Sequence, residues 1–407
     1  MLLVKKVGDH GPWKHFASAF PIFCCAFLSF VSISQAASEI AVRGTNGGNI
    51  VDGDATPSQT DGTHFGRTNA VGGYKDHVFT ITNSGNTALT ISSFTTGGVA
   101  AVDFILVSAP AASIPAYSSS TFTLRFAPTN SGTRNATVSM ANNDFTENPF
   151  NFSVRGIGIA PEVGLLGTNM ASISDGDTTP TPVDGTQFET NRVYVGYVDH
   201  IFTITNSGNW LLNISGVTTN GTHPSDFIII DGPTAQMGTN TKTTFTLRFD
   251  PSALGLRSAI VHIANDDLNE GDYDFTVQGM GVEPEIAVLG TNKALIASGN
   301  VTPLVSDGTD FGSNRVFGGT ATRIFTITNS GTADLNITGV STTGADAADF
   351  AMTAAPAASI LPGQTTTFTI RFDPSVLGMR TAVIHVNNDD YDEADYTFTI
   401  QGTGVEP

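Results

Sequence analysis

Two stretches of this sequence concentrate oxygen ligands of the kind a hard divalent cation needs. One reads Asn265-Asp266-Asp267-Leu268-Asn269-Glu270-Gly271-Asp272, the other Asn388-Asp389-Asp390-Tyr391-Asp392-Glu393-Ala394-Asp395. Ca²⁺ takes about six to eight oxygens from carboxylates, amides and carbonyls. Asp266, Asp267, Glu270 and Asp272, and likewise Asp389, Asp390, Glu393 and Asp395, put carboxylates on one short hairpin. Asn142-Asn143-Asp144, followed by Glu147 and Asn148, is a poorer version of the same pattern. None has EF-hand spacing, because the required glycine and terminal glutamate are missing. The competing reading is a solvated turn whose Asn and Asp side chains cap their own backbone. Turns select these residue types without any metal, so Ca²⁺ is an expectation set against ordinary turn chemistry.

Other reactive residue types are sparser. Asp52-Gly53-Asp54 and Asp175-Gly176-Asp177 could bind a cation, but Ser298-Gly299-Asn300 stands at the third equivalent place, which favours turn formation. Of the histidines outside the first 36 residues, His262 and His385 fall on the outward face of a strand, and His77 and His200 correspond to Arg323. No His-x-x-His or His-Glu-x-x-His spacing occurs, so all six read as surface residues rather than zinc ligands. There is no Gly-x-Ser-x-Gly elbow and no phosphate loop, and the sequence reads as that of a non-enzyme. Trp210 follows a turn, where it could stack on a sugar ring, anchor a protein partner, or cover the edge of its own domain.

What positions these residues is a long internal repeat. Phe79–Gly85, Phe202–Gly208 and Phe325–Gly331 all read FTITNSG, at steps of 123 residues. Asp61-Gly62-Thr63, Arg125-Phe126-Ala127-Pro128 and the pair Gly156 and Gly158 recur at the same step, and Pro161, Pro284 and Pro407 close the copies. The copies are residues 39–161, 162–284 and 285–407, without insertion or deletion. A period of this size is that of an independent domain rather than of a solenoid unit.

Within a copy, apolar residues alternate with polar ones: Phe325 and Ile327; Phe368, Ile370 and Phe372; Ala382, Ile384 and Val386; Tyr396, Phe398 and Ile400. Each run is a half-buried strand, and turn residues cut the runs about every ten residues. No helical period appears. The fold class is therefore all-β: three tandem antiparallel sandwiches of immunoglobulin type. In FTITNSG the Phe and Ile face a core and the threonines face water. The Asn and Gly of the corner are expected to supply positive φ.

The first 36 residues read as a signal peptide. Lys5, Lys6 and Lys14 precede an uncharged apolar run from Phe16 to Ile33, and Ser34-Gln35-Ala36 offers small residues for cleavage. A retained membrane anchor is the alternative, but the run is short for a span and Pro21 interrupts it. Both cysteines, Cys24 and Cys25, lie in this leader, so the remaining chain cannot form disulfides or thiolate sites. It must rest on its hydrophobic cores. Without residues 1–36 the balance is 15 basic against 36 acidic residues, a net of −21. That sign repels phosphate backbones and argues against nucleic-acid binding.

The motif order DGT-x-F, FTITNSG with a following Leu, TFT-[LI]-RF-x-P, NND or NDD, then F-x-[VI]-x-G-x-G resembles the repeats of bacterial choice-of-anchor D proteins, within the wider Hydin-like (ASH) immunoglobulin-type class. The resemblance spans residues 39–407. It implies an exported, surface-attached bacterial protein. Here the chain stops at Val405-Glu406-Pro407, where Val282-Glu283-Pro284 runs on into a further copy, so both a fragment of a longer repeat protein and a complete three-domain protein fit. The functional expectation is a non-catalytic structural or adhesion module at the cell surface or outside the cell. Its partner would be an unknown protein or glycan, and the mature chain would have no transmembrane span. The alternative is a carbohydrate- or protein-binding accessory module of a longer secreted polypeptide.

Overall fold

The computed structural model describes residues 36–406; the leader assignment falls almost wholly outside these residues. Among the described residues the chain is all-β, with six five-stranded sheets that form three pairs, one pair for each copy of the repeat. In the second domain one sheet is ordered Ser172–Ile173, Val163–Leu166, Val198–Asn206, Thr241–Phe249, Phe227–Asp231. Its partner is ordered Gln187–Arg192, Asp272–Val282, Gly255–Asn265, Leu212–Asn220, Gln236–Met237. The first and third domains repeat this order. The sandwich is not wholly antiparallel: Gln187–Arg192 pairs in parallel with Asp272–Val282, as do the equivalent strands of the other domains. The only helices among the described residues are three 3₁₀ turns of three residues each.

Strand alternation decides which side chains enter the core. Phe202 and Ile204 are fully buried, while Thr203 and Thr205 are only half-buried. Phe202 lies opposite Phe245 in the antiparallel register, and the rings stack at 5.3 Å; Phe275 of the other sheet completes the contact at 5.3 Å. The third domain repeats both ring contacts with Phe325, Phe368 and Phe398. Burying one such ring is worth about 1.5–3 kcal/mol, so each domain carries its own stabilising core.

Two repeated motifs serve this packing. A Cβ on Gly279 would come within 2.5 Å of the Phe249 ring, so the first glycine of Gly-x-Gly makes room for the Phe of RF-x-P. The fully buried Asp226 accepts a hydrogen bond from Arg257 Nε at 2.5 Å, and Asp103–Arg134 and Asp349–Arg380 repeat this pair. Removing one partner of such a pair strands a buried charge, which typically costs about 3–5 kcal/mol.

Candidate functional site: the joints between domains

The last long strand of one domain ends only a few residues before the first strand of the next, at Ile159 and Val163 and again at Val282 and Ile286. The FTITNSG corner receives this short connection. Asn206 is 1% exposed. Its amide donates to the carbonyls of Trp210, Met237 and Gly238, and its Oδ1 accepts from the N–H groups of Gly208 and Glu162. Asn83 and Asn329 make the corresponding bonds. Positive φ is not the reason for this motif, contrary to the reading from sequence. Neither these asparagines nor Gly85, Gly208 and Gly331 adopt it. Glycine is required because a Cβ on Gly208 would lie 2.5 Å from Ala160 O and Glu162 N, inside the backbone of the connection. Asn209 adds a clamp: its Oδ1 accepts from Ala160 N–H and its Nδ2 donates to Gly158 O, both at 2.9 Å.

The acidic hairpins sit at the same joints, and their carboxylates divide among separate tasks. Asp267 and Asp390 are buried, and each accepts a 2.9 Å hydrogen bond from the first strand of its own domain, at Val163 N–H and Ile286 N–H. Asp144 does the same for Ile40. Asp266 and Asp389 each take a backbone and a side-chain hydrogen bond from an asparagine of the neighbouring strand, Asn213 and Asn336. Asp272 and Asp395 face His262 and His385 at 3.0 and 2.9 Å. Glu270 and Glu393 are half-buried, and burial, then the carboxylates nearby, pushes both above the usual range. The Oε2 atoms of Glu270 and Glu147 are buried with no hydrogen-bond partner.

Carboxylates do converge, but not in the set expected from the hairpins alone. Glu285, Asp390 and Asp392 offer oxygens within 4.8 Å of one another, as do Glu39, Asp144 and Glu147. In the first of these groups, burial pushes Glu285 and Asp390 upward, and the neighbouring carboxylates add to it. Such spacing matches oxygens that share one Ca²⁺, whose Ca–O distances are about 2.3–2.6 Å. Glu39 and Glu285 open their domains, more than a hundred residues from the aspartate they meet. Local spacing could not link them.

The same hairpins touch the preceding domain. Arg192 ends the edge strand of the second domain. Its Nη1 donates to Asp389 Oδ2 at 2.8 Å, and its Nη2 donates to the Asp389 carbonyl. Two residues on, Tyr194 stacks on Tyr391 at 5.1 Å. The joint between the first and second domains uses the same positions with other residues: Asn69, Val71, Asp266 and Leu268 line one groove together with Trp210. There the Arg67 guanidinium lies over the Trp210 ring at 5.7 Å, which places Trp210 at a joint with 38% of its surface still exposed. Val71, Tyr194 and Phe317 hold one equivalent place, and all three have positive φ, at 56°, 70° and 62°. A bulky side chain in that region costs about 1–3 kcal/mol; Tyr194 there stacks on the next domain's hairpin, and Val71 lines the groove that Leu268 of the next hairpin also lines.

The remaining candidates are structural. Asp54 and Asp177 cap Thr56 and Thr179, and Gly53 and Gly176 take positive φ, which makes both loops turns. The surface assignment does not hold for His77, which is 7% exposed and stacks on Phe65 at 4.1 Å. His200 stacks on Phe188 in the same way at 4.0 Å, and Arg323 lies over Phe311. The aromatic of DGT-x-F therefore needs a flat cationic or imidazole cover, which strand alternation alone does not reveal.

The model of the HYDIN/CFA65/VesB-like Ig-like domain family matches residues 304–403. This supports the wider Hydin-like immunoglobulin class for the third domain, whose motifs the other two copies share in register. No curated protein matches the chain. Among solved structures, a Porphyromonas gingivalis W83 protein of unknown function is 14% identical, with TM-score 0.22, over 53% of this chain and 95% of that one. Protocadherin gamma B7 cadherin domains 1–4 are 9% identical, with TM-score 0.36, over 84% and 73%. The ASH/PapD-like domain 7 of human CEP192 is 13% identical, with TM-score 0.19, over 34% and 98%.

Proposed function

We propose that this chain is a non-catalytic, exported repeat protein that acts as a structural or adhesion module at the cell surface, toward a protein or glycan partner and not toward nucleic acid. Its repeats are of the choice-of-anchor D kind. The observation that carries the reading is the built joint: Arg192 and Tyr194 of one domain seat on Asp389 and Tyr391 of the next. A module that presents a partner at a set distance needs fixed angles between domains, and side-chain contacts across a very short connection supply them. No helix among the described residues is long and apolar enough to cross a membrane. Ca²⁺ held by Glu285, Asp390 and Asp392 would neutralise mutually repelling carboxylates at the base of the third domain's hairpin and stiffen the joint it makes; Glu39, Asp144 and Glu147 offer the like set on the first domain's hairpin.

Small-angle scattering on the chain without residues 1–36 tests the joint. The unaltered chain should fit one extended arrangement. Arg192→Ala with Tyr194→Ala should broaden the distance distribution at an unchanged melting temperature. Identical curves for the two proteins would remove the support for a fixed spacing.

A further inference from the structure

Besides the two carboxylate groups at the hairpins, a third set of side chains brings metal-binding atoms within 4.8 Å of one another, and it is of another kind. It joins a ring nitrogen of His262 to carboxylate oxygens of Asp272 and Asp274. Strand geometry builds it on the outer face of the second domain. His262 lies directly opposite Asp274 in the antiparallel register of Gly255–Asn265 with Asp272–Val282. Asp272 is two residues before Asp274, so it faces the same way. Tyr273 between them is buried and donates to the Ile173 carbonyl on the core side. The three side chains come from two strands, so no spacing along one segment reveals them.

The sister domains are built differently at this place. The first has Ser139, Pro149 and Asn151. The third keeps the histidine and one aspartate, as His385 and Asp395, but Thr397 stands where the second has Asp274. There the imidazole is held at both nitrogens: Nδ1 lies 2.9 Å from Asp395 Oδ2, and Nε2 lies 2.8 Å from Thr343 Oγ1. In the second domain Asn220 takes the place of Thr343, and His262 Nε2 is buried without a hydrogen-bond partner. The ring is held at Nδ1 alone, by the Asp272 carboxylate at 3.0 Å. One domain has therefore gained a second carboxylate and lost the threonine clamp on the ring. Asp175, whose Oδ1 accepts from the Asp274 N–H at 2.9 Å, sets a further negative charge beside the group, where the third domain has Ser298.

We propose that the second domain binds one Zn²⁺ through a ring nitrogen of His262 and the carboxylates of Asp272 and Asp274. Imidazole together with carboxylate suits Zn²⁺, whereas Ca²⁺ takes oxygen ligands alone. Zn–N and Zn–O distances of about 2.0–2.2 Å set the ligand atoms of a tetrahedral site roughly 3.3 Å apart. The separation of 3.0 Å between His262 Nδ1 and Asp272 Oδ2 is already near that value. Rotation of the Asp274 side chain brings its oxygen, within 4.8 Å of the other two, to the same separation. Three protein ligands leave the fourth position to water, as in an open site rather than a closed structural one. The ion would clip the two strands of the hairpin together. The assignment depends neither on the joint contacts nor on the carboxylate groups at the hairpins.

Calorimetric titration with Zn²⁺ tests the site. The chain is used without residues 1–36, because the three cores lie between Ile40 and Ile400 and because Cys24 and Cys25 would bind the metal themselves. Excess Ca²⁺ is kept present to occupy the oxygen-only groups. One Zn²⁺ should bind per chain. His262→Ser and Asp274→Thr install the residues of the first and third domains at those places. Each should weaken binding by at least the roughly ten- to hundredfold that loss of an outer-shell partner costs. Glu285→Gln with Asp392→Asn should leave the affinity unchanged. Urea unfolding followed by the fluorescence of Trp210 checks that the second domain of each variant is folded. In the unaltered chain, ¹H–¹⁵N spectra of the imidazoles should show the His262 ring shifting with Zn²⁺ while the His385 ring stays in place. A dissociation constant weaker than about 1 mM would overturn the proposal. So would undiminished affinity in His262→Ser or Asp274→Thr, loss of binding on Glu285→Gln with Asp392→Asn, or a shift at another histidine in place of His262.

Discussion

Asn206 links the repeated heptapeptide to the architecture, and its replacement by alanine gives a decisive measurement. The side chain is 1% exposed and makes five hydrogen-bonding contacts, three donated and two accepted. Two of the three donor contacts share a hydrogen, so about four bonds disappear at roughly 0.5–1.5 kcal/mol each, with the buried carbonyls left without a donor. The second domain should lose about 3–5 kcal/mol. A domain of this size has a urea dependence near 1.5 kcal/mol per molar, so its midpoint should fall by about 2–3 M. The reporter is built in: without residues 1–36 the only tryptophan is Trp210, whose carbonyl accepts one of the lost bonds. Urea titrations followed by its fluorescence therefore read this domain. Asn206→Asp separates hydrogen bonding from volume, since it keeps the acceptor but sets a carboxylate oxygen against three carbonyls, and it should cost more than alanine. A loss below about 1 kcal/mol for Asn206→Ala, within the range of unremarkable substitutions, would refute the hub role. So would an aspartate variant more stable than the alanine one.

Two further outcomes concern the carboxylates. Thermal melts in EDTA, Ca²⁺ and Mg²⁺ should show a Ca²⁺-specific rise. A hundredfold excess over the dissociation constant adds about 2.7 kcal/mol per site, or about 10 °C for a domain near this size. Glu285→Gln with Asp392→Asn should abolish the third domain's share, and a melt indifferent to Ca²⁺ would return these groups to ordinary turn chemistry. In metal-free buffer, stability should pass through a maximum at mildly acidic pH. Burial first, then neighbouring carboxylates, raises Glu147, Glu270, Glu285 and Glu393. Their contribution is full below the ordinary glutamate value and is lost as pH rises through the raised one. Burial alone would raise Asp103, Asp226 and Asp349 as well, but hydrogen bonds from Arg134, Arg257 and Arg380 and from nearby hydroxyls and amides outweigh it and hold them low. Their contribution is present above the ordinary aspartate value and is lost as pH falls through the lowered one. Melting temperatures taken from pH 7.5 down to pH 3 should rise and then fall, and a steady decline from neutrality would contradict the balance.

The division between sequence and structure follows the range of the interactions. A period of 123 residues and alternation within each strand determined the fold class and the core, because strand geometry sends successive side chains to opposite faces wherever the strand lies. The Asp226–Arg257 pair was also present in the repeat, as Asp-Phe and Arg at constant offsets, but nothing local marks two such residues as partners. The corner glycines show a limit of local reasoning: turn propensity named the right residue for the wrong cause, since what excludes a Cβ is the backbone of a connection more than forty residues earlier in the chain. Tertiary structure alone decided where the acidic hairpins point. It brought Glu285 to Asp390 across 105 residues, laid Arg192 on Asp389 across a domain boundary, and set Arg67 over Trp210. Composition places charge on turns, but only the packing of one sandwich against the next selects which of those charges meet.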